Sequence, residues 1–144
     1  MEQDLLQRLN DERAARGLPA LAWNESVTLR ARAWSRDMAA NGLRHGPYAD
    51  LLATYGAVAE NVGRGQGGTF TAGSLHVLWM GSSGHRANML SPAYDQVGIG
   101  VVCGPDRTMW ATVDFVATGP GGPAPPPPPA DPVVRGDAGT TACP

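Results

Sequence analysis

Apolar positions fall in two rhythms along this chain, and together they outline most of its elements. Residues 2–16 carry Leu5, Leu6 and Leu9 on one face at helical spacing, flanked by Asn10 and Arg13. Gly17 suits the left-handed residue that ends such a helix, and Pro19 blocks its continuation. Leu18, Leu21 and Trp23 then read as an extended connector. A second helix opens at the N-cap Asn24, buries Val27, Ala31, Trp34 and Met38, and closes at Asn41-Gly42. A third covers Thr71 to Met80, with Leu75, Leu78 and Trp79 on its buried side and His76 expected at the surface. The rhythm then changes to two. Val97, Ile99 and Val101 alternate with Gly98 and Gly100 in a strand over 96–103, where the glycines imply close neighbours. Gly104-Pro105-Asp106-Arg107 makes a turn, and Met109–Val116 returns as its antiparallel partner. Asp114, alternating with Val113 and Phe115, is expected to face solvent or pair with an arginine.

Between these elements the pattern is irregular. The chain passes through His45-Gly46-Pro47, makes a short helical turn around Asp50–Tyr55, and reaches Ala59-Glu60-Asn61-Val62. Residues 63–69 (GRGQGGT) read as a glycine-rich loop; they lack the Lys-Ser/Thr ending of a phosphate-binding loop, which excludes that chemistry. Gly81-Ser82-Ser83-Gly84 reads as a turn presenting His85, and Asn61 and Asn88 as formers of turns and loops. From Gly119 the composition shifts abruptly. Pro125 to Pro129 favour a polyproline rod of about 15 Å at roughly 3.1 Å per residue, so the chain divides into a domain at 1–118 and a Pro/Gly-rich tail or linker at 119–144.

Composition narrows the classes. The 144 residues suffice for one domain, with 42% apolar and 17% charged residues. A net charge of −2 and 11 scattered cationic residues, all arginine, argue against nucleic acid. No apolar run is long enough for a membrane helix, and the N-terminus reads as a helix start instead of a signal peptide. Two cysteines leave two readings: a single Cys103–Cys143 bridge, or a buried Cys103 with a free thiol at Cys143.

One order of motifs is specific. Asn10, Arg13, Gly17-Leu18, Leu21-x-Trp23, Leu43-x-His45, Ala59-Glu60-Asn61, Trp79, Gly84-His85-Arg86-x-Asn88-x-Leu90, Val97-Gly98-x-Gly100 and Trp110-x-Thr112 follow one another across residues 4–117. The series resembles the CAP superfamily (cysteine-rich secretory proteins, venom antigen 5 and plant pathogenesis-related class 1 proteins) in a compact bacterial form. The resemblance implies an α+β fold, a three-layer α-β-α sandwich with a small antiparallel sheet between helices and a shallow cleft. It also implies cleft residues: His45 and His85 match the family's two histidines and Glu60 its first glutamate. The second glutamate falls at Ser82, a departure from the pattern. An extracellular or envelope location follows from the resemblance alone.

Two imidazoles and a carboxylate suit zinc or another divalent ion, with His45 and His85 as ligands and Glu60 either a third ligand or an orienting group. Without the second glutamate, only weak binding is expected. No H-E-x-x-H or G-x-S-x-G arrangement is present. The first expectation is therefore a non-enzymatic module binding a lipid or sterol, an envelope component or a protein. The alternative is a metal- or serine-assisted hydrolase of peptides or cell-wall material, with Ser82 or Ser83 beside His85.

Overall fold

The computed structural model describes residues 1–66, 70–119 and 143–144. Its elements are α1 (Glu2–Ala14), β1 (Ala22–Trp23), α2 (Glu25–Asn41), α3 (Ala49–Leu52), β2 (Ala57–Gly65), α4 (Ala72–Met80), α5 (Ser83–Met89), β3 (Gln96–Cys103) and β4 (Met109–Ala117). The four strands form one sheet in the order β1-β3-β4-β2. β3–β4 and β4–β2 are antiparallel, while the two residues of β1 pair parallel with Gln96 and Val97. Helices cover both faces, giving the expected α-β-α layers.

The helix boundaries follow local chemistry. Asn24 accepts the Val27 amide and Thr71 accepts that of Ser74, so each caps its helix. Gly17 after α1 and Gly42 after α2 both take positive φ, at 68° and 97°. α1 and α4 lie on one face of the sheet, where Leu5, Leu9, Leu75, Trp79 and Met80 meet Val97, Ile99, Val113 and Phe115. α2 crosses the other face at unusually short range. A Cβ on Gly98 would lie 2.4 Å from the Val27 carbonyl carbon, and one on Gly100 would lie 2.1 Å from the Arg32 amide nitrogen. The two glycines therefore let helix backbone rest on strand backbone. Ser35 locks the contact, bonding the Gly100 carbonyl and the Thr112 hydroxyl, each at 2.9 Å.

Several residues differ from the sequence expectations. Residues 57–65 are a full edge strand paired along β4, although they read as an irregular stretch and loop. Partly polar, glycine-bearing AENVGRG lacks the alternation that marks a strand, and only the neighbouring β4 supplies its partners. Residues 83–89 form a short helix, so Asn88 sits on α5 and Asn61 on a strand, neither in a turn. Leu78 is 57% exposed, whereas His76 is 1% exposed. His76 is buried because α1 supplies a partner there: Glu12, also buried, lies 3.4 Å from its Nε2. Burial outweighs the Glu12 contact and holds the imidazole below its usual pKa, so this group favours the fold above about pH 6.5 and opposes it as the pH falls.

Cys103 and Cys143 are bridged, with Cα atoms 5.5 Å apart. Cys143 packs within the main core cluster at 4% exposure. Closing 40 residues of separation is worth about 4 kcal/mol in chain entropy. The glycines at 67–68 and the proline run lie outside the described residues. No described helix is long and apolar enough to cross a membrane.

The α2–β3 contact makes a direct prediction. Gly100→Ala forces backbone apart and is expected to cost about 3 kcal/mol, read from urea unfolding. An unchanged midpoint would contradict the close approach described here.

Candidate functional site

The edge strand β2 organises the site, because its alternating residues face opposite layers. Glu60 and Val62 turn toward α2, while Asn61 turns toward α5. Glu60 is fully buried at the side chain, and its Oε1 collects donors from the segment before α3. The Nδ1–H of His45 donates to it at 2.7 Å and the Gly46 amide at 3.0 Å. The Tyr48 hydroxyl reaches the same oxygen at 3.4 Å. Burial, and then the charge of Glu60, push the Tyr48 phenol up to about 12, so it remains a proton donor at any physiological pH. His45 itself is 58% exposed, and the Glu60 bond leaves its Nε2 free of that contact.

His85 reaches the cleft from the other side of β2. Its backbone carbonyl accepts Asn61 Nδ2 at 3.1 Å, and Asn61 Oδ1 accepts Asn88 Nδ2 at 2.9 Å. The same Asn88 amide contacts the Glu60 carbonyl at 3.4 Å. These bonds fasten α5 to the strand that carries Glu60, which fixes the separation of the two histidines. The His85 Nδ1 pairs with Ser82 Oγ at 2.9 Å, and the ring tilts against Trp79 with centroids 6.4 Å apart. Burial first, and then the neighbouring His45, hold the His85 pKa below the usual histidine value. It is therefore a neutral imidazole near pH 7.

Beneath Glu60 lies a charge that the sequence did not place at the site. Asp114 on β4 is directly opposite Glu60 in the strand register and is likewise fully buried. It does not face solvent; the second expectation for it, an arginine partner, is the one realised. Arg30 of α2 bonds Asp114 at 2.7 Å and Asp50 at 3.0 Å, and lies 3.9 Å from Glu60. Desolvation of Asp114, opposed by Arg30 and reinforced by Glu60, raises its pKa to about 7.

The arrangement thus brings together His45, Glu60, Ser82 and His85 around one edge strand, with Tyr48, Asn61, Asn88, Arg30 and Asp114 as their supports. Sequence reading missed the supports. The cue for Asp114 was present, since it is the one charged residue in the apolar run MWATVDFV. Among the described residues, no group of three or more His, Cys, Asp and Glu side chains is arranged to hold a metal ion. Glu60 is turned inward, bonded to His45 instead of standing beside it.

A family model described as CAP, the cysteine-rich secretory protein family, matches residues 6–115. The chain belongs to that family. YkwD of Bacillus subtilis is 31% identical over 111 residues, which are 70% of this chain and 42% of YkwD. An extracellular protein with an SCP domain from Bacillus anthracis superposes with a TM-score of 0.65 at 24% identity, covering 81% of this chain and 40% of that one. A cysteine-rich secretory protein from Staphylococcus aureus gives a TM-score of 0.63 at 25% identity, covering 80% and 37%. This chain therefore spans about two fifths of each of these longer CAP proteins.

The raised Asp114 sets a pH dependence whose sign is fixed. In the unfolded chain Asp114 titrates near 3.8, and in the fold near 7, so it favours folding below pH 3.8 and loses that contribution as the pH climbs to about 7. Asp114→Asn should gain stability relative to the parent across this window, by up to about 1.4 kcal/mol per pH unit. Urea unfolding of both proteins at pH 4, 5.5 and 7 checks it; parallel profiles would show that Asp114 ionises normally in the fold.

Proposed function

We propose that this chain is an exported CAP module whose cleft recognises a ligand through His45 and His85 and does no chemistry on it. One observation carries the reading: both imidazoles are held through Nδ1, by Glu60 and by Ser82, while the site's carboxylates are buried and matched to Arg30. A catalytic base or nucleophile needs access to the reacting atoms. Here the acids are turned inward, and the groups left for a ligand are two imidazole edges with nearby hydroxyls. Such edges accept hydrogen bonds and bind a divalent ion such as zinc, and two ligands alone make that binding weak. The ligand class therefore includes a lipid or sterol, an envelope component, or a protein surface.

Export is supported by two independent facts. A disulfide within the core belongs to an oxidising compartment. The relatives from Bacillus anthracis and Staphylococcus aureus carry the descriptions extracellular and secretory.

The hydrolase reading is favoured by one contact, the 2.9 Å Ser82–His85 pair. Against it, the pair lies within one helical turn, and among the described residues no carboxylate is bonded to His85 in the way that orients a catalytic histidine.

Calorimetric titration of metal-stripped protein with zinc near pH 7.5 tests the recognition reading. Weak, saturable one-to-one binding is expected, absent from a folded His45→Ala/His85→Ala variant. Equal binding by both proteins, or none, would contradict a shared site. Turnover of an ester or peptide that disappears in Ser82→Ala would replace the module reading with the hydrolase one.

A further inference from the structure

Glu60 presents its two oxygens to different parts of the molecule. Oε1 faces the cleft and receives His45, Gly46 and Tyr48. Oε2 is buried and, among the described residues, has no hydrogen-bond partner, and the same holds for Oδ1 of the facing Asp114. The two carboxyls stand opposite each other on paired strands, so the unmatched oxygens belong to one buried pair. Arg30 is the cation that serves both. It also donates to the Pro47 carbonyl and to Asp50 on the segment that carries His45. One guanidinium thus connects α2, β4 and the His45–Asp50 stretch, and lies close to Glu60 on β2.

We propose that Arg30 and Asp114 are positioning residues of the cleft, fixing Glu60 so that it holds His45 as the Nδ1–H tautomer with the Nε2 lone pair outward. This inference deepens the recognition reading above and rests on it for its functional meaning, though its geometry stands alone. The physical reasoning is direct. An imidazole in water exchanges between two neutral tautomers, and a carboxylate at Nδ1 selects one of them. That selection needs the carboxylate to stay in one rotamer. Oε1 is held from one side only, by His45, Gly46 and Tyr48 of the stretch before α3. The restraint comes from below, where Arg30 bonds Asp114 at 2.7 Å and lies 3.9 Å from Oε2, so that rotation of Glu60 would carry its buried oxygen away from the cation. Asp114 acts through Arg30 and Glu60, whereas Arg30 also holds the His45–Asp50 stretch directly through Pro47 and Asp50.

The test reads the tautomer directly on the free protein. Protein labelled with 15N at histidine, held near pH 8, is examined by long-range proton–nitrogen correlation. His45 is expected to show a protonated Nδ1 and a bare Nε2. In Arg30→Met that signature should collapse to a mixture of tautomers, while His85 and His76 keep theirs; Arg30→Lys should restore it in part. Asp114→Leu provides the same reading should Arg30→Met fail to fold, and Asp114→Asn, whose carbonyl can accept from Arg30 and whose amide can donate to Oε2, should keep the single tautomer. A His45 that is protonated at Nε2 in the parent, or one whose Nδ1–H tautomer survives both Arg30→Met and Asp114→Leu, would overturn the proposal. Because no ligand is added, neither result depends on whether the cleft binds zinc.

Discussion

Direct contact between the backbone of α2 and the strand β3 is the constraint on which the rest of this structure depends. Gly98 and Gly100 remove the side chains that would hold the helix away, and Ser35 fixes its height with two buried hydrogen bonds. A helix at ordinary distance would leave Arg30 unable to reach Asp114 on β4. With the helix seated, that guanidinium lies under the edge strand, bonded to Asp114 and 3.9 Å from Glu60. Fold and site are therefore one problem. Packing against glycine brings the charge in, and the charge orients the carboxylate that holds the histidine.

Such a site differs from an exposed cluster of acids and bases. Buried carboxylates are costly unless matched, and a protein that keeps two of them opposite each other needs a cation, a raised pKa, or both. This chain uses both. The result at the surface is modest: two imidazole edges and hydroxyls on a shallow cleft, rigidly held. The Asn61–Asn88 pair contributes the other half of that rigidity by tying α5, and so His85, to the strand of Glu60. The recognition proposed for this site would gain from such pre-organised polar groups.

Much of this was legible in the sequence, and the division has physical reasons. Helical spacing, caps and the glycine-bearing strand gave α1, α2, α4, β3 and β4 within a residue or two, because each carries its own periodicity. The order of motifs pointed to His45, Glu60 and His85 together. β2 was not legible, since an edge strand with glycine and polar residues takes its identity from β4. His76 failed, and Asp114 stayed open between solvent and an arginine, for a related reason: periodicity reports which face a residue occupies, not whether another element has a partner waiting there. Glu12 and Arg30 supply those partners from helices 64 and 84 positions away in sequence. The bridge between the cysteines was one of two open readings until the structure placed Cys143 in the core.

The central claim is that His45 and His85, arriving from opposite sides of β2, form one recognition site while His76 stays apart. Histidine ring-proton resonances followed through a single zinc titration at neutral pH test it most directly. The account predicts that His45 and His85 respond together with a common midpoint and that buried His76 is silent. Separate midpoints, or a response at only one of the two, would contradict it.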